Sequence, residues 1–265
     1  MTKRRPKLKR LPINHLIPNI LTISALCAGM TAISFAARDL WEASVFAIVV
    51  AAILDGLDGR VARLLNAQSK FGAEMDSLSD FISFGVAPPM ILYFWVLEDA
   101  GRIGWVFVCF FTVCMALRLA RFNTALEDPD KQAWENNFFT GVPAPAGALL
   151  TMYPLVLSFM FGDEIFRSPA MACLFLTIIG GLMVSRFPTF SFKKAKIPAA
   201  YVLPVMIGVG LFVAFLVSAP WAMLSVIGAI YLGSIPLSFK SYRKWQKKAA
   251  DGELEDCDDL DDKDE

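Results

Sequence analysis

Apolar residues fill long unbroken stretches of this chain, and polar residues gather in the gaps between them. A helix needs about 20 apolar residues to cross a bilayer. By that measure the hydropathy pattern predicts eight spans, at 15–37, 42–65, 71–97, 102–122, 143–162, 169–186, 198–218 and 221–239. The last two are one run without a single Asp, Glu, Lys or Arg from Ile197 to Phe239, divided by a hairpin at Ser218-Ala219-Pro220. Pro88-Pro89 inside the third span and Pro143-x-Pro145 at the start of the fifth are expected to bend or interrupt their helices, because proline lacks an N–H and crowds the preceding turn. The pattern predicts an all-α integral membrane protein with about eight transmembrane helices. It has a basic segment at 1–14, a transmembrane domain at 15–239 and a tail at 240–265 that is basic and then acidic.

Composition agrees: 56% of the 265 residues are hydrophobic and 19% are charged, more apolar than a soluble domain. The zero net charge conceals two opposed ends, "MTKRRPKLKR" and "ADGELEDCDDLDDKDE". The acidic end has too little apolar content to build a core and is expected to be disordered and solvated. With the N-terminus in the cytoplasm, the outer loops carry only Arg38, Arg102 and Arg167 of the 25 Lys and Arg. That is the positive-inside distribution. An even number of spans also returns "KSYRKWQKK" to the inner side. Both termini are therefore expected on the cytoplasmic side of the membrane. The five cysteines show no CxxC spacing and four lie in apolar segments, so they read as packing residues. The single His15 excludes a His-rich metal site, and nothing in the chain points to nucleic acid.

Against this background four aspartates stand out, in "ILDGLDGRVARLLNAQSKFGAEMDSLSDFISFG". Asp55 and Asp58 are three apart near the inner end of the second span; Asp76 and Asp80 are four apart near the inner start of the third. Residues at those separations share a helix face, and the short link at Asn66 to Lys70 makes the two spans antiparallel neighbours. All four carboxyls can therefore meet at one shallow depth. A buried Asp costs about 2.5–3.5 kcal/mol at mid-membrane, less near the surface, and four together repel. They must take up protons, pair with cations or bind metal. Arg60, Arg63 and Lys70 are the nearby bases. Clustered carboxylates without His or Cys suit Mg²⁺ or Mn²⁺ rather than zinc. Two small-residue stripes accompany them, Gly72-Asp76-Asp80 and Asp55-Gly59-Arg63. The glycines either leave room for a bulky ligand or pack helices closely; Arg63 is placed to reach a phosphate. A proton or cation pathway in a transporter is the alternative from another class. Arg118, Arg121 and Asn123, at the inner end of the fourth span, are candidates for an acceptor or phosphate, with topology anchoring as the alternative reading of the arginines. Lys131 and Lys193 are weaker candidates.

The motif Asp55-x-x-Asp58-Gly59-x-x-Ala62-Arg63, eight residues, Gly72-x-x-x-Asp76-x-x-x-Asp80 resembles the signature of the CDP-alcohol phosphotransferases without a gap or substitution. "IPNILTISALCAGM", "ALRLARFNT", "FFTGVPAPAGA" and "LMVSRFPTF" are similar to segments of the phosphatidylserine-forming bacterial branch of that family. The resemblance implies a membrane-embedded transferase that displaces CMP from CDP-diacylglycerol, with L-serine as the expected acceptor. It implies two divalent cations, typically ~3.5–4 Å apart, held by Asp55, Asp58 and Asp76 with Asp80 at the edge. Asp80 is also the implied base for the serine hydroxyl. Gly59, Ala62, Arg63 and Gly72 are implied to face the CDP portion. Lipid tails would enter sideways between helices, and a homodimer is expected because the family often forms one. Sister enzymes that use glycerol phosphate, inositol or choline share the same metal site and stay open as alternatives.

Overall fold

The computed structural model describes residues 16–126, 138–185, 188–190 and 218–234, with isolated positions 210 and 214–215. The basic start, Lys131, Lys193, most of the predicted seventh span and the acidic tail lie outside the described residues. The described chain is helical except for one short antiparallel pair, β1 (Phe138–Thr140) with β2 (Pro188–Phe190), in which Phe139 faces Thr189.

Helix α1 (Leu16–Ala36) turns back at Asp39, whose φ is +59°, into α2 (Trp41–Leu64). Both helices are apolar all round at this end, so hydropathy alone does not say which face goes inward. Packing decides it. The buried stripe of α1 is Pro18, Thr22, Ala25, Gly29, Ala32 and Ala36, while Ile20, Ile23 and Met30 point outward. Small residues let helix backbones approach, and lipid is as good a solvent for Ile and Met as the protein interior. A turn through Asn66, φ +48°, leads into α3 (Lys70–Asp80). Ser69 caps it by accepting the Gly72 N–H at 3.0 Å.

The third span runs unbroken from Lys70 to Ala100 and is the most deeply buried of the long helices. It is not a plain α-helix. After α3 comes a π-helical stretch, Phe81–Val86, then α4 (Ala87–Leu92), a second π stretch, Tyr93–Leu97, and a short 3₁₀ turn to Ala100. The prolines account for the first irregularity. Pro89 has no N–H for the carbonyl of Gly85 one turn earlier; the Thr112 hydroxyl lies 3.1 Å from that carbonyl and 2.9 Å from the Val108 carbonyl of its own helix, between which its one proton is shared. The Ala87 N–H reaches back to Ile82, the wider π spacing. The expected interruption at Pro88-Pro89 is thus a widening of the helix that keeps the span continuous.

Helix α5 (Arg102–Leu126) packs on the third span and on α9 (Pro169–Val184). Between them α6 (Ala144–Thr151) and α7 (Tyr153–Phe161) form one span bent by 42°, and α8 (Asp163–Phe166) is a single turn. Pro143 caps α6 with extended backbone, so it starts a helix rather than bending one. Helix α10 (Pro220–Ser234) closes the described chain; Tyr153 Oη donates to its Ser225 carbonyl at 2.9 Å. Among the described residues, three helices are long and apolar enough to cross a membrane, four with the bent pair; α9 and α10 are apolar but shorter. Helix α2 has the length, 24 residues, but its last turns carry the acids and arginines. The core gathers around Phe84, Ile91, Leu92, Phe111, Met115 and Leu176, which fixes the third span at the centre and leaves its acidic start facing α2.

Candidate active site

Helices α2 and α3 bring the four aspartates together. One oxygen each from Asp55, Asp76 and Asp80 lies within 4.8 Å of the others. The Asp55 and Asp80 carboxyls are in hydrogen-bond contact, which two carboxyl groups can make only with a proton or a cation to share. Asp76 Oδ1 and Asp80 Oδ1 are both buried with no hydrogen-bond partner. An orphaned buried carboxylate oxygen is expensive, and two of them in a three-carboxylate cluster fit a hard divalent cation that takes oxygen ligands. Asp58 is buried beside the cluster, within electrostatic reach of Asp76 and Asp55. Its Oδ2 accepts a hydrogen bond from Thr22 Oγ1 at 2.5 Å. The tight trio is therefore Asp55, Asp76 and Asp80: the residue expected at the edge is one of its three members, and Asp58 lines the adjoining cavity.

That cavity has a volume of about 590 Å³. Every further motif residue reaches it: Gly59, Ala62 and Arg63 from α2, Gly72 and Asp76 from α3. The glycines differ in what they do. A Cβ on Gly59 would meet nothing within 4 Å, so its backbone is open to an occupant. A Cβ on Gly72 would come 3.1 Å from Ser69 Oγ and 3.2 Å from Asn19 Oδ1, so this glycine also permits close packing of the α3 start on its own cap and on α1. Arg63 Nε donates to the Gly59 carbonyl at 3.1 Å, which folds the side chain along the cavity wall.

The three residues from α5 separate into different roles. Arg118 is the charge partner of the cluster, within electrostatic reach of Asp80 and Asp55. Its Nε donates to the Val142 carbonyl at 2.8 Å, which fixes the guanidinium while leaving its terminal nitrogens for other partners. Arg121 Nη1 instead donates to Val184 O at 2.6 Å, at the C-terminal end of α9, where a cation complements the helix carbonyls. Asn123 Nδ2 donates to Ser77 Oγ at 3.0 Å and so braces α3 between its two aspartates. Arg60, Arg63 and Lys70, closer in sequence, form no ion pair among the described residues; the one pair there is Arg167 with Asp163.

The sequence reading did not single out individual residues of α1, yet Pro18, Asn19 and Thr22 all line the cavity, as does Phe122 of α5. Asn19 and Thr22 share α1 with Ser24, Thr31 and Ser34, so a polar side chain in this span does not by itself mark the cavity.

Comparison with known proteins adds to this geometry. A family model described as CDP-alcohol phosphatidyltransferase matches residues 15–180, and one described as CDP-alcohol phosphatidyltransferase 2 matches residues 200–236. The chain is similar to the CDP-diacylglycerol–serine O-phosphatidyltransferase of Mycobacterium leprae (strain TN), 39% identical over 90% of this chain and 79% of that protein. Proteins of the same name from Helicobacter pylori (strain ATCC 700392 / 26695) and Bacillus subtilis (strain 168) are 38% and 33% identical. Those matches cover 84% and 67% of this chain, and 91% and 92% of the respective relatives.

Proposed function

The chain belongs to the CDP-alcohol phosphatidyltransferase family, and on that premise we propose that it transfers the phosphatidyl group of CDP-diacylglycerol to L-serine, giving phosphatidylserine and CMP. The observation that carries the reading is the three-carboxylate cluster with two unpartnered buried oxygens, one member of which, Asp76, also lines the cavity formed with Gly59, Ala62, Arg63 and Gly72. The name shared by the relatives supports serine as the acceptor.

Asp55, Asp76 and Asp80, with Asp58 beside them, are the residues that would hold two divalent cations, Mg²⁺ or Mn²⁺. Bound there, such cations would supply positive charge to offset that of the pyrophosphate and of the phosphoryl group in transfer. The CDP portion occupies the 590 Å³ cavity, against the exposed backbone of Gly59 and beside Arg63. The serine hydroxyl oxygen forms a bond to the phosphorus that bears diacylglycerol. The bond from that phosphorus to the bridging oxygen breaks, and CMP leaves with that oxygen. Asp80 takes the hydroxyl proton; a serine hydroxyl is a poor nucleophile until a positioned base accepts it. Arg118, held by Val142, binds the serine carboxylate or the lipid phosphate; its fork geometry suits either anion. Arg121 and Asn123 act on the scaffold that presents these groups. The site faces the cytoplasm, where serine and the cytidine nucleotide are found, and the acyl chains enter from the membrane between helices.

The test is purified full-length protein in lipid nanodiscs, given CDP-diacylglycerol, Mg²⁺ or Mn²⁺, and each alcohol in turn. CMP release is expected to require L-serine and to stop with excess chelator. Release that requires glycerol phosphate and ignores serine would overturn the assignment.

A further inference from the structure

Helix α1 carries no acid of its own, yet one of its residues joins the two helices that do. The Thr22 side chain is buried, 4% exposed. Its hydroxyl lies 2.5 Å from Asp58 Oδ2 on α2 and 3.1 Å from the Pro18 carbonyl within α1. A hydroxyl has one proton to donate. The shorter contact, to a carboxylate, has the length of a charge-assisted bond, whereas the Pro18 carbonyl sits in the helix ladder and is served by the backbone. The Thr22 carbonyl, in turn, accepts from Ser79 Oγ at 3.1 Å, and Ser79 is the buried residue directly before Asp80. One turn further on, Ser83 Oγ donates to the Ala25 carbonyl at 3.2 Å. There a Cβ on Gly29 would fall 2.5 Å from Ser83 Oγ, so α1 lies directly against the third span.

We propose that Thr22 is a positioning residue for the acidic cluster, its hydroxyl fixing Asp58 while its carbonyl, through Ser79, fixes the segment that carries Asp80. One residue thereby sets the spacing of the two acid-bearing helices. Its hydrogen bond uses Oδ2 of Asp58, a carboxyl that also meets the Gly59 N–H and lies within electrostatic reach of Asp76. The proposal rests on the reading of the cluster as a divalent cation site, but its measurement needs neither serine nor CDP-diacylglycerol.

The experiment is Mn²⁺ titration of the full-length protein in nanodiscs, with free Mn²⁺ read by electron paramagnetic resonance. Groups that hydrogen-bond a metal ligand typically govern affinity by about 10–100-fold. Thr22→Val keeps the shape and removes the hydroxyl, and is expected to weaken Mn²⁺ binding at least tenfold. Thr22→Ser keeps the hydroxyl and is expected to stay within about threefold of the wild type, a rescue that a purely packing role would not give. In an Asp58→Ala background Thr22→Val is expected to change nothing further. Where the Val variant is not recovered folded, Thr22→Ala takes its place. CMP release run in parallel is expected to show a fall in kcat with little change in the KM for CDP-diacylglycerol. Wild-type Mn²⁺ affinity in Thr22→Val, equal losses in Thr22→Ser and Thr22→Val, a further tenfold loss in the Asp58→Ala background, or no Mn²⁺ binding by the wild-type protein would each overturn it. Mn²⁺ binding that follows this pattern in a protein that ignores serine would support the positioning role and reject serine as the acceptor.

Discussion

Replacing Gly59 by Ala adds one methyl group to the cavity wall and changes nothing else nearby. Apart from its chain neighbours and the backbone of its own helix, no atom lies within 4 Å of the position that the new Cβ would take. Gly59 sits inside α2, five residues before its end at Leu64, so the substitution should gain the helix preference of Ala over Gly, up to about 1 kcal/mol. For a chain of this size that corresponds to a rise in Tm of roughly 2–4 °C. The occupant of the cavity meets the opposite effect. If the pyrophosphate or ribose of the substrate lies against the Gly59 backbone, the methyl displaces it, and a misplacement of about 1 Å can cost 100-fold in rate. The expected result is an unchanged or higher Tm in nanodiscs, with KM for CDP-diacylglycerol raised or kcat lowered by about 10–100-fold. Gly72→Ala is the contrast. Its Cβ would press on Ser69 Oγ and Asn19 Oδ1, disturbing the cap of α3, so it is expected to lower Tm. A lowered Tm in Gly59→Ala together with wild-type kinetics would refute the reasoning, because it would mean that this glycine serves packing and not a ligand.

Two other outcomes follow from the same geometry. Asp80→Asn keeps the size of the side chain and removes its capacity to accept a proton, so CMP release is expected to fall by at least 100-fold while membrane insertion and the folded yield stay at wild-type levels, read by size-exclusion chromatography. Gly29→Ala would bring a methyl within 2.7 Å of Ser83 Cα as well as against its hydroxyl; overpacking of this kind costs about 1–3 kcal/mol, partly offset by helix preference, and a thermal scan should show a lowered Tm.

Much of the site was legible in the chain because its information is local. The spacings Asp55-Asp58 and Asp76-Asp80 put each pair on one helix face, and the short link through Asn66 made the two helices neighbours. Gly59, Arg63 and Gly72 lie on the same stripes as the acids, whereas Ala62 came from the resemblance of the motif; all four line the cavity. The helix boundaries in the described chain lie within a few residues of the expected ones for the same reason, since hydropathy and proline placement act along the chain, although only three helices there, four with the bent pair, are long and apolar enough to cross a membrane. The π-helical widening beside Pro88-Pro89 was harder to read, because the Gly85 carbonyl that Pro89 leaves open meets Thr112 of another helix.

What the sequence by itself determined is a helical membrane protein and the side-by-side placement of four acids, both consequences of periodicity and of the bilayer's thickness. Only the tertiary structure decided which acids converge, which arginine answers them, and what holds Asp58. Arg118 reaches the cluster from 38 residues beyond Asp80, whereas Arg121, one turn later on the same helix, points at the end of α9. Thr22 reaches Asp58 across 36 positions. Contacts of that kind are set by how apolar helices rotate against one another. In a membrane that rotation is chosen by the fit of small residues such as Ala25 and Gly29, and hydropathy, which scores the lipid-facing and protein-facing sides alike, does not carry it.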